Sequence, residues 1–161
     1  MTVLLAFLSF VVAAVFLAHH VIVGGVPKSI SSLVNRMRWK WLWSLWLGVT
    51  GFLLLPLLLD ELPETFKFVG FLMFIALLGT ALTPVFVDKN RKAHNIFGNV
   101  LGVLSQVCVL ILSPWWLVLW VGMLVVMILS LSGRIPKVFV GNGLFVIEVL
   151  CMITLYGALA L

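Results

Sequence analysis

Pro27-Lys28-Ser29-Ile30-Ser31-Ser32-Leu33-Val34-Asn35-Arg36-Met37-Arg38-Trp39-Lys40 separates two long apolar runs, at about 3–23 and 41–59. Four of the chain's ten Lys and Arg residues lie in it. Two further connections share the bias. Lys89, Arg91 and Lys92 follow the third apolar run, and Arg134 and Lys137 follow the fifth. The intervening connections lack it. The one after the second run carries Asp60, Glu61 and Glu64 against Lys67 alone, and the one after the fourth run carries no charge. Excess Lys and Arg marks cytoplasmic loops. The alternation therefore predicts six membrane crossings, with both termini on the non-cytoplasmic side of a cell inner membrane.

Composition agrees. The chain has 161 residues, of which 64% are hydrophobic and only 9% charged, whereas soluble domains carry about 25% charged residues. One membrane domain is expected, with no second folded unit. A net charge of +5 would suggest nucleic acid in a soluble protein. Here the cations border apolar runs, so anionic lipid headgroups are the expected counter-charge and nucleic acid is not. Cys108 and Cys151 lie within apolar runs and form neither a disulfide framework nor a metal motif.

Within a bilayer the backbone satisfies its own hydrogen bonds, which leaves helices or closed barrels. A helix crosses with about 20 apolar residues, and these runs lack the alternation of barrel strands. An all-α bundle follows, with spans near 3–23, 41–59, 66–87, 95–112, 115–131 and 138–160. Ser113-Pro114 alone divides the fourth span from the fifth. If that break failed, the Arg134 connection would switch sides. Within the 27–40 stretch, Ile30, Leu33, Val34 and Met37 recur at helical spacing among serines and cations, which predicts a short interfacial amphipathic helix. Tryptophans 39, 41, 43 and 46 form one aromatic belt and Trp115, Trp116 and Trp120 a second.

Several residues carry candidate chemistry. Glu148 lies inside the sixth run, where a charged carboxylate costs about 2.5–3.5 kcal/mol on insertion scales. It reads as a proton, ion or ligand site, or as a structural hydrogen-bonding group, with Gln106 or Asn142 as partner. A cytoplasmic polar cluster comprises His19, Ser29, Ser31, Asp88 and His94, joined by His20 and Ser32. The residue types suit zinc, but no ligand spacing supports a metal site. A Ser–His–Asp set from the same residues lacks any nucleophile-elbow motif. Arg36, Arg38, Lys40, Arg91 and Lys92 read as topogenic charge or as a lipid-headgroup clamp. Gly98 and Gly102 make a G-x-x-x-G that permits close helix approach, within the chain or between chains. No cofactor motif is present.

The Pro27-Lys28-Ser29-Ile30-Ser31 segment resembles the "PxSIS" element of a group of small, uncharacterised Bacteroidetes integral membrane proteins, where it precedes the second span. Gly51-Phe52-Leu53-Leu54-Leu55-Pro56, Phe71-Leu72 through Gly79 to Pro84, and Arg91-Lys92-Ala93-His94 are similar to further elements of that group, over roughly residues 20–115. Leu33-Val34 stand where the group has a tyrosine pair. The resemblance implies a helical inner-membrane protein and transfers no residue's activity.

Three function classes follow. The first is binding or assembly, through a helix partner (a second copy included), a lipid or a small hydrophobic ligand. The second is a small transporter or proton-linked channel centred on Glu148. The third is a lipid-modifying enzyme at the cytoplasmic interface near Ser31 and His94. No catalytic constellation is identified, and the first is favoured.

Overall fold

The computed structural model describes residues 1–86, 91–132 and 142–160. Among them are six long helices and no strand: α1 Thr2–Gly24, α2 Trp41–Glu61, α3 Lys67–Phe86, α4 Arg91–Leu112, α5 Val118–Leu131 and α6 Gly143–Ala160. Six helical segments are long and apolar enough to cross a membrane, so the chain is an all-α, multi-pass bundle. Asp88, Lys89, Arg134, Lys137 and the start of the sixth run fall outside the described residues.

Local chemistry sets the breaks. After α4, Ser113 is extended and Pro114 opens a 3-10 turn, Pro114–Leu117, that leads into α5. Proline suits the first helical position because its missing N–H has no intrahelical partner there. This turn delivers the division expected at 113–114. Proline inside a helix is less disruptive in a bundle, where neighbours re-satisfy the freed carbonyl. Accordingly α2 continues through Pro56 to Glu61, and α3 contains Pro84.

Two packed clusters stack along the bundle. One unites Ala6, Leu54, Leu58, Met73, Val109 and Leu155 toward the acidic end. The other unites Ala13, Leu33, Trp43, Trp46, Leu77 and Ala81 toward the basic end. The connection between α1 and α2 belongs to this second cluster. Its short helix is a 3-10 helix, Ser31–Arg36, and its apolar face is not spread on lipid. Leu33 is fully buried, with Ile30 and Val34 at 7% exposure. Trp43 and Trp46, expected in the aromatic belt, form the floor beneath them, while Trp39 and Trp41 stay exposed.

Glycines mark where helices touch. A Cβ at Gly51 would meet Leu77, and one at Gly79 would strike the Phe97 ring. These positions let α3 approach α2 and α4 closely. At Gly157 a Cβ would lie 2.6 Å from the Trp116 ring, which seats the α4–α5 turn against α6.

Candidate functional site

Glu148 stands in the second turn of α6, five residues beyond Gly143, or about 7.5 Å along the axis at 1.5 Å per residue. That height is level with the α1–α2 connection. Its carboxylate accepts the backbone N–H of Ile30. A second bond runs the other way: Phe145 N–H, in the unpaired first turn of α6, donates to the Lys28 carbonyl at 3.1 Å. Helix starts leave such N–H groups without intrahelical partners, and the incoming chain supplies one. Glu148 is therefore hydrogen-bonded to backbone from the α1–α2 connection, and not to Gln106 or Asn142. Asn142 sits nearly two turns below, its carbonyl accepting Val146 N–H.

The connection is also bonded to itself. Ser32 Oγ donates to Ser29 O at 2.7 Å, Ser32 N–H donates to Ser29 Oγ at 3.1 Å, and Ser29 and Ser31 hydroxyls lie 3.0 Å apart. Arg36 Nη1 reaches Gly24 O at 2.8 Å and Gly25 O at 2.9 Å. Cationic groups at a helix C-terminus satisfy the last carbonyls and oppose the dipole. Arg36, read from sequence as a lipid contact, thus caps α1. Gly25 carries φ 70°, the one positive φ among the described residues, a conformation glycine adopts without a Cβ penalty. Arg38 lies over the Trp39 ring at 5.6 Å, a cation–π distance.

Gln106 anchors a different network nearer the acidic end. Trp120 Nε1–H donates to Gln106 Oε1 at 2.9 Å, and the Thr154 hydroxyl lies 3.2 Å from the same oxygen. Indole is a donor only, so Oε1 must face it. Nε2 then faces Ser105 Oγ at 3.2 Å and the Cys151 carbonyl at 3.5 Å. One side chain of α4 thereby ties α5 to α6. A third buried group joins α1, α2 and α6. Ser9 Oγ donates to Thr50 O at 2.7 Å and lies 2.6 Å from Tyr156 Oη. With the serine proton committed to the carbonyl, the tyrosine is the donor.

The polar cluster expected at the cytoplasmic side divides. His94 Nδ1 lies 3.0 Å from Thr83 Oγ1, while Thr83 Oγ1 donates to Gly79 O at 2.9 Å. The threonine has one proton, so His94 Nδ1–H is the donor and the pair locks α4 onto α3. His20 Nδ1 contacts Phe16 O at 2.9 Å. His19 is exposed and meets His20 edge-on. Ser29 and Ser31 bond within their own turn, and Asp88 lies outside the described residues. No group of three metal-ligating side chains occurs among the described residues.

Helix α4 carries the remaining candidates. Arg91 opens it and Lys92 is exposed. Nothing lies within 4 Å of a Cβ built at Gly98 or Gly102. Asn95 and Asn99 are exposed beside them, so positions 95, 98, 99 and 102 form one small, polar, uncovered face. Sequence reasoning flagged the glycines but not the asparagines. It also missed Ser9 and Tyr156, polar groups inside apolar runs, and read Trp120 only as part of an aromatic belt. A small, partly open apolar cavity of about 10 Å³ lies between α2 and α3, lined by Gly51, Leu54, Leu58, Met73 and Leu77. A surface depression of about 330 Å³ lies against Ser113, Trp115, Trp116, Val118 and Leu119. Neither is lined by Glu148, Gln106 or His94. Comparison with protein-family models, with curated proteins and with solved structures finds no match.

Proposed function

We propose that this chain acts by association within the bilayer, presenting α4 to a transmembrane helix of another chain, identical or different. One observation carries the reading. Gly51, Gly79 and Gly157 are filled by neighbouring side chains, whereas Gly98 and Gly102 are open; Gly48, Gly122 and Gly143 are open too, but the α4 pair stands four residues apart with exposed Asn95 and Asn99 on the same face. Small residues four apart admit a second helix backbone, and amide side chains bond across such contacts. Polar groups on a span usually face protein or a water-filled cavity and not lipid. Glu148 and His94, central to the transporter and enzyme readings, instead connect structural elements, which supports association over chemistry.

The orientation belongs to the same proposal. With the basic connections in the cytoplasm, both termini lie outside. The exposed cations Lys28, Arg38, Lys40 and Lys92 then rest against the anionic headgroups of the inner leaflet.

The test compares the parent with Gly98→Ile and Gly102→Ile in native membranes, extracted gently and sized. The parent should migrate as a complex larger than one chain, and both variants as the single chain with unchanged thermal unfolding. A complex of the same size in all three, or a single chain throughout, contradicts the proposal. The mass of the parent complex distinguishes a second copy from a different partner.

A further inference from the structure

Residues 24–36 form a loop closed on itself. Arg36 ties its end to its start at Gly24 and Gly25, and Ser29, Ser31 and Ser32 bond across its middle. Compact surface loops of this size, with ends joined and packed by their own side chains, are frequently functional. Two hydrogen bonds leave this loop for α6, from Ile30 N–H to the Glu148 carboxylate and from Phe145 N–H to Lys28 O. Beneath it, Leu33 and Val34 cover Trp43, Trp46 and Leu47. Trp43 is 1% exposed, and its indole N–H has no partner.

We propose that residues 24–36 are a strap that lifts as one unit from the basic end of the bundle, with Glu148 as its clasp. Three features support a unit motion. The serine bonds of the strap do not depend on the bundle, and Arg36 fastens its far end to its own hinge at the close of α1. Its first hinge is Gly24-Gly25, where Gly25 already holds a positive φ, and its second is Met37, which is extended. The contact opposite the clasp is apolar side-chain packing, which separates without leaving hydrogen bonds broken on both sides. Lifting the strap uncovers a carboxylate acceptor and an indole donor within an apolar, aromatic surround that includes Phe16, stacked on Trp46 at 4.1 Å between centroids. Such a site suits an amphiphile whose head group offers an N–H to Glu148 and an acceptor to Trp43. The strap is separate from the α4 face and does not rest on the association reading.

The experiment uses the full chain in open membranes. It reads the rate at which a water-soluble maleimide labels Leu33→Cys in a Cys151→Ala background, with native Cys108, fully buried in the other cluster, as internal reference. Adding Glu148→Ala should accelerate labelling at position 33 at least tenfold and leave Cys108 protected. Adding Glu148→Gln, which keeps an acceptor oxygen, should leave the rate near that of the parent. Equal rates with Glu148 and with alanine overturn the clasp. Labelling of Cys108 in step with position 33 overturns the unit motion, because the whole bundle has then loosened. Val34→Cys replaces Leu33→Cys if the latter does not accumulate.

Discussion

Several polar side chains inside the apolar runs of this protein join one helix to another. Gln106 is the clearest case, since its amide faces α5 and α6 at once. Interhelical hydrogen bonds in membranes contribute about 0.6 kcal/mol on average and up to about 1.7. Gln106→Leu should therefore destabilise the bundle by about 1–2 kcal/mol, read as a lowered unfolding midpoint in mixed micelles. The loss falls on the attachment of α5, so Trp120 emission should shift toward that of a wetter indole. An unchanged midpoint would show that lipid or backbone groups replace the amide without cost. His94→Ala removes one α3–α4 bond to Thr83 and should be milder, with a loss below about 1 kcal/mol in the same assay.

At the level of elements, glycine separates internal contact from free surface. Gly157→Ala forces a methyl against the Trp116 ring. Overpacking of this kind typically costs about 1–3 kcal/mol, and thermal unfolding should report that loss. Gly98→Ala meets open space and should leave the unfolding of the single chain unchanged or slightly raised, since alanine restricts the unfolded chain. The reverse order of stabilities would misplace both helices. The sequence distinguished these glycines only in part. Spans and breaks were legible because lipid tolerates so few polar groups that charged connections stand out, and Ser113-Pro114 could be identified as a turn. Partner choice was not legible. It depends on the rotation and relative height of each helix, which a nearly uniform apolar run does not encode. Glu148 was recognisable as costly, yet its partner is a backbone N–H 118 residues away in sequence, and no side-chain pairing rule points there. The 30–37 periodicity correctly announced a short helical element with an apolar side. It did not reveal that this side meets a pocket floor of tryptophans.

Across the whole molecule, the arrangement has two unlike ends. The basic end carries the strap, the Glu148 clasp and the start of α4, where Asn95, Gly98 and Asn99 are uncovered. The opposite end carries Glu64, bonded to Lys67 at 2.6 Å, and the Trp115–Trp116 turn. The proposed partner face starts at the end that carries the strap, and the charge bias assigns that end to the cytoplasm. The decisive measurement is membrane-impermeant thiol labelling of intact cells carrying single cysteines at Asn35, Lys92, Glu64 and Trp115, with lysed cells as reference. All four positions are exposed. Cysteines at 64 and 115 should label in intact cells, and those at 35 and 92 only after lysis. Labelling of 35 and 92 from opposite faces would contradict the account, as would labelling of both from outside.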